Sequence, residues 1–130
     1  MMATVHARGH CLLVVEDDSL TRETMAFILQ EEGYTVAEAG NGLEAMEQLR
    51  QGFRPEVILL DLSMPAMNGW AFCIELQRNP VLAGTPVVVI SGVTDPAPAA
   101  GFLHAAGSLR KPFNAGQLLA AVEHFCGASD

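Results

Sequence analysis

Four places in the chain carry residue types that could together handle a phosphoryl group: Glu16-Asp17-Asp18, Asp61, Ser91 and Lys111. The first three each stand where a short apolar run stops. Cys11–Val15 ends at Glu16, Val57–Leu60 at Asp61 and Val87–Ile90 at Ser91. Lys111 is the only lysine and is followed by Pro112. Taken singly, Asp61 is an ordinary strand-end acid, Ser91 a turn residue and Lys111 a surface charge. Glu16 and Asp17 could merely favour the dipole of the following helix. Asp18, beside a helix start, reads as a cap or a solvated acid rather than a metal ligand. Their common placement carries the inference. Carboxylates crowded into a cleft of low dielectric repel one another and call for a cation. The candidate ligands are all oxygens, which favours Mg²⁺ over zinc or copper. Such an ion would leave one carboxylate free to attack phosphorus, with Lys111 and the Ser91 hydroxyl stabilising phosphoryl oxygens.

The elements that must bring these groups together alternate along the chain. Cys11–Val15 is a branched apolar run, which reads as a strand covered on both faces. Ser19 can open a helix with Leu20, Met25, Ile28 and Leu29 on its apolar side, and Gly33 ends it. Residues 34–38 read as a more polar edge strand. Asn41-Gly42 turns the chain into a helix over 43–50, with Leu43, Met46 and Leu49 inward. Residues 57–60 form a third strand, and 70–77 a third helix with Trp70, Cys73 and Leu76 inward. Residues 87–90 form a fourth strand. Pro96 and Pro98 delay the next helix to about 98–106, with Gly107 stopping it. Residues 108–110 are too few to be read as a strand on pattern alone. Asn114, with Gln117 three residues on, caps a last helix whose apolar stripe is Leu118, Leu119, Val122, Phe125 and Cys126.

This alternation predicts an α/β fold: a doubly wound five-stranded parallel sheet, helices on both faces, in the flavodoxin-like order 2-1-3-4-5. That order centres the three most apolar strands. Ligands of such sheets bind beyond the carboxyl ends of the strands, where the four motifs fall. The expected organisation is a flexible segment over 1–9, one domain over 10–127 and a short tail over 128–130.

Composition narrows the classes. Seven Lys+Arg against fifteen Asp+Glu leave a formal net charge of −8, which disfavours direct contact with nucleic acid or anionic membranes. Half the residues are hydrophobic, enough for a core. Cys11, Cys73 and Cys126 read as buried thiols in a reducing compartment. There is no CxxC and no His/Cys spacing that suits zinc. His6, His10, His104 and His124 are scattered and read as structurally ordinary. No signal-peptide core or span-length apolar run is present, so a cytoplasmic location is expected.

Val14-Val15-Glu16-Asp17-Asp18, Asp61-Leu62-Ser63-Met64-Pro65-Ala66-Met67-Asn68-Gly69, Ser91 and Lys111-Pro112-Phe113 together resemble the signatures of receiver domains of two-component response regulators. The likeness spans about residues 11–126, and the D-L-x-M-P-x-M-[DN]-G stretch is highly specific. It implies that Glu16 and Asp17 help hold Mg²⁺ and that Asp61 becomes an acyl phosphate. It further implies that the backbone carbonyl of Ser63 ligates the metal and that Ser91 and Lys111 attend the phosphoryl group. Two features depart from the pattern. Gly107 stands four residues before Lys111 rather than about seven, and Ser108 occupies a position where an aromatic ring commonly swings on activation.

The expected function is therefore a Mg²⁺-dependent phosphoacceptor switch in bacterial two-component signalling, not a conventional turnover enzyme. Its donor would be a sensor histidine kinase or a histidine phosphotransfer protein. With no ring at Ser108, the signal is expected to leave by ordering of residues 91–107. A weak homodimer through the helix at 98–106, the following strand and the last helix is a further expectation. Two other classes remain open: a receiver-like binding module that is not phosphorylated, and a metal-dependent phosphatase-like hydrolase. An acyl phosphate on Asp61 would exclude the first. Turnover of free phosphomonoesters would mark the second.

Overall fold

The computed structural model describes residues 10–62, 69–92 and 105–126, with Gly69 and Trp70 described by backbone alone, so the expected inward place of Trp70 lies outside it. In chain order the elements are β1 (Cys11–Val15), α1 (Ser19–Glu31), β2 (Thr35–Ala39), α2 (Gly42–Arg50), β3 (Val57–Asp61), α3 (Gly69–Arg78), β4 (Val87–Ser91), β5 (Gly107–Arg110) and α4 (Ala115–Cys126). The five strands form one sheet in the order β2-β1-β3-β4-β5, with every neighbouring pair parallel. The flavodoxin-like order expected from the sequence is the order found.

The continuous apolar runs have a simple cause. Successive side chains of a strand point to opposite faces, so a strand covered twice must be apolar throughout. Leu13, Val15, Ile58, Leu60, Val87 and Val89 pack on one face with Ala45, Met46 and Leu49 of α2 and Phe72, Cys73 and Leu76 of α3. Leu12, Val14, Val57, Leu59, Val88 and Ile90 pack on the other with Met25 and Leu29 of α1 and Leu118, Val122 and Cys126 of α4.

Local signals set the element ends. Asp18 caps α1, its carboxylate accepting from the Thr21 backbone at 2.9 Å, so Ser19 is the first helical residue rather than the cap. Asn41 caps α2 by accepting from the Glu44 backbone at 2.8 Å. Asn114 and Gln117 form the expected reciprocal box, at 2.8 and 2.9 Å. Gly33 has φ 100, the left-handed conformation that ends α1 cheaply.

Several expectations need correction. Tyr34 is buried but precedes β2 instead of opening it. Leu20 is 73% exposed, because it lies about 140° around the helix from buried Met25. Leu43 is likewise exposed, and Ala45 takes the inward place. Gly107 does not stop a helix; it begins β5, and Ala105 and Ala106 before it are already non-helical. The rest of the helix expected at 98–106 lies outside the described residues, as do the two termini.

Candidate functional site

Sheet register delivers the chemistry. Val15 pairs with Leu60, so Glu16 falls level with Asp61 at the ends of β1 and β3. Asp61 pairs with Ile90, which sets Ser91 one residue further out on β4. Ser91 pairs with Arg110, and the Lys111 amide donates to the Ser91 carbonyl at 2.8 Å. The four-residue step from Gly107 to Lys111 is accommodated because Gly107 itself starts β5. The Lys111 ammonium consequently reaches Glu16 Oε1 at 2.8 Å and lies 3.7 Å from Asp61 Oδ2.

Burial sets the electrostatics. Glu16, Asp61 and Ser91 are buried, while Asp17 is exposed at the rim. Carboxylate oxygens of Glu16, Asp17 and Asp61 all lie within 4.8 Å of one another. Burial pushes the Glu16 carboxyl up to about 7; the hydrogen bonds from Lys111 and the Asp18 backbone oppose that rise, and the charge of Asp61 adds to it. For Lys111 burial disfavours the ammonium. The hydrogen bond to Glu16 and the charges of Asp61, Glu16 and Asp17 outweigh that, and its pKa stands above the ordinary lysine value. Asp18 belongs to the cap: hydrogen bonds from the Thr21 hydroxyl and backbone hold its carboxyl below the usual range.

The site therefore brings together Glu16, Asp17, Asp61, Ser91 and Lys111. Ser63 lies outside the described residues, as does most of the 91–107 segment expected to order on activation. Three carboxylates against a single ammonium form an all-oxygen cluster that could coordinate a divalent metal. A divalent ion there would offset the cost of burying the Glu16 carboxylate and its repulsion by Asp61.

Two supporting residues escaped the sequence reading. Arg22 donates through Nη1 to the Glu16 backbone carbonyl at 2.9 Å and through Nε to Glu38 at 3.3 Å, tying the acid-bearing turn to α1 and β2. Gly92 lies against the Lys111 stem: a Cβ there would stand 3.3 Å from Lys111 Cδ and 3.4 Å from its Cβ. A glycine straight after the β4 hydroxyl was the available signal for Gly92; nothing local marked Arg22.

Known proteins resemble this chain in sequence and in fold. The family model described as the response regulator receiver domain matches residues 12–123. The chain is 34% identical over 113 residues to the DNA-binding response regulator MtrA of Mycolicibacterium paratuberculosis, covering 85% of this chain and 48% of that protein. It thus spans about half the length of such curated relatives. Among solved structures, the signal receiver domain of a signal transduction histidine kinase from Syntrophus aciditrophicus matches with a TM-score of 0.80 and 32% identity, over 91% of this chain and 90% of that one. The chemotaxis protein CheY4 of Vibrio cholerae matches with a TM-score of 0.81 and 29% identity, over 96% and 99%.

Proposed function

The chain belongs to the response regulator receiver domain family, and from that premise we propose that Asp61 accepts a phosphoryl group from a phosphohistidine on a sensor kinase or phosphotransfer protein. The observation that carries the reading is the convergence of buried Asp61 with Glu16, Asp17 and the Lys111 ammonium at the strand ends. A carboxylate oxygen of Asp61 attacks phosphorus in line. The new O–P bond forms as the P–N bond breaks, and the imidazole departs with the electron pair. The Lys111 ammonium, 3.7 Å from Asp61 Oδ2, is drawn toward the arriving phosphoryl oxygens. The Ser91 hydroxyl binds a further oxygen. Glu16 and Asp17, with Asp61 and the Ser63 backbone carbonyl, would hold Mg²⁺, whose charge offsets that of the transferring group.

Leu20, Thr24, Met25 and Ile28 of α1 face Pro112 and Phe113 across an open cavity of about 580 Å³ that Lys111 also lines. A donor must bring its phosphohistidine to Asp61, and this apolar surface adjoins that approach. We assign it to docking of the phosphodonor protein.

Incubation of the chain with acetyl phosphate and Mg²⁺ should add one phosphoryl mass, which hydroxylamine removes. Asp61→Asn should abolish the addition. Full labelling of that variant would overturn the assignment. Sustained hydrolysis of free phosphomonoesters would instead favour a phosphatase-like enzyme.

A further inference from the structure

At the opposite end of the sheet a second group of ligating side chains converges. His10 stands immediately before β1, Glu56 immediately before β3, and Cys126 closes α4. One ligand atom from each lies within 4.8 Å of the others. We propose that His10, Glu56 and Cys126 form a second cation site, for a zinc-class ion, separate from the acidic site.

The backbone fixes two of the ligands. The His10 carbonyl accepts from the Thr35 amide at 3.0 Å, and the Glu56 amide donates to the Cys11 carbonyl at 2.7 Å. Strand alternation sets His10 on the face of Leu12 and Val14, the face on which Cys126 is packed. Cys126 is 1% exposed. The His10 side chain is 12% exposed and bonded through Nδ1 to Glu56 Oε2 at 2.5 Å. The carboxylate therefore already orients the imidazole, while Glu56 itself is 42% exposed and opens the group to solvent.

The donor set selects the ion. One nitrogen, one carboxylate oxygen and one sulfur make a borderline set that suits zinc and excludes Mg²⁺. Tetrahedral zinc ligands lie roughly 3.5 Å apart, given metal–ligand lengths of about 2.0–2.3 Å. The His10–Glu56 pair, at 2.5 Å, would open by about 1 Å, and the thiol already lies within 4.8 Å of both. On binding, Cys126 gives up its proton to solvent and ligates as the thiolate, His10 ligates neutral, and water fills the remaining position. The ion would staple the end of α4 to the starts of β1 and β3. The acidic site is about 20 Å away along β1, at the ordinary strand rise per residue, so the two sites are independent.

Cobalt(II) serves as the optical probe and zinc chloride as the competitor, on the full chain with excess Mg²⁺ occupying the acidic site. Co²⁺ should produce a thiolate charge-transfer band that Zn²⁺ bleaches at one equivalent. Cys126→Ser should lose the band. His10→Gln and Glu56→Gln, which leave the buried thiol packed, should each weaken Co²⁺ binding at least tenfold while keeping native helical signal. Zn²⁺ should raise the melting temperature of the native chain and not that of His10→Gln. Absence of the band in the native chain would overturn the proposal. So would its persistence in Cys126→Ser, which would point to Cys11 or Cys73, or native affinity in both glutamine variants, which would reduce the cluster to an ion pair beside a thiol.

Discussion

Glu16 is the residue whose state depends most on what surrounds it. Its folded pKa is about 7 against an ordinary 4.5, so between those values the folded chain binds the proton that the unfolded chain has released. Stability of the metal-free protein should therefore fall as pH rises from about 4.5 to about 7, and level off above. A divalent ion competes with that proton. Mg²⁺ affinity should rise with pH through the same window, as titration calorimetry on either side of about 7 would reveal; a flat profile would mean that Glu16 does not contact the ion. Lys111 acts in the opposite sense, because its ammonium is the counter-charge already in place. Lys111→Ala should bind Mg²⁺ more tightly and yet take phosphate from acetyl phosphate on the order of 100-fold more slowly, the scale of losing a preorganised oxyanion donor. Equal labelling rates would remove Lys111 from the transfer step.

At the scale of elements, α1 and the turn from β5 into α4 do two jobs. The inward faces of α1 and of α4, which that turn starts, hold Met25, Leu29, Leu118 and Val122 against the sheet. The exposed flank of α1 carries Leu20, out of phase with the buried stripe and bordering the cavity beside Lys111. An exposed leucine contributes little to folding, so its substitution separates docking from chemistry. With a sensor kinase that labels the native chain, Leu20→Glu should slow transfer at least tenfold. Labelling by acetyl phosphate, which needs no docking surface, should be unchanged. Slowing of both reactions would show damage to the site, and slowing of neither would move the partner elsewhere. The element least legible beforehand was β5. Gly107–Arg110 has too few residues for a pattern, and parallel pairing with β4 is what makes it a strand.

Over the whole molecule, the formal charge of −8 opposes the approach of a small anionic phosphodonor. Raising the ionic strength from about 0.01 M to about 0.15 M shortens the screening length from about 30 Å to about 8 Å. At saturating Mg²⁺, labelling by acetyl phosphate should therefore accelerate with added potassium chloride, measured as the initial rate of mass gain. A rate that falls with salt would mean that the local field at Lys111 governs the encounter. Among the described residues no helix is long and apolar enough to cross a membrane.

Strand order, the two-sided core and the acidic site were legible because each rests on short-range pattern. Apolar runs ending in Glu16, Asp61 and Ser91 place those residues at strand ends whatever the details of packing, and parallel strands bring those ends to one edge. Helix phase is less legible: Leu20 and Leu43 are apolar but turned outward, since the angle at which a helix meets the sheet decides which of several apolar positions is covered. What only the tertiary structure decided is what depends on register and on residues far apart in the chain. The ammonium reaches Glu16 because β5 pairs with β4 at Ser91 and Arg110. Arg22 meets the Glu16 carbonyl across the first turn of α1. The histidine and cysteine that looked ordinary, His10 and Cys126, meet with Glu56 only because α4 folds back to the starts of β1 and β3. Spacing rules detect ligands held on one local element; ligands gathered by three separate elements leave no local spacing to detect.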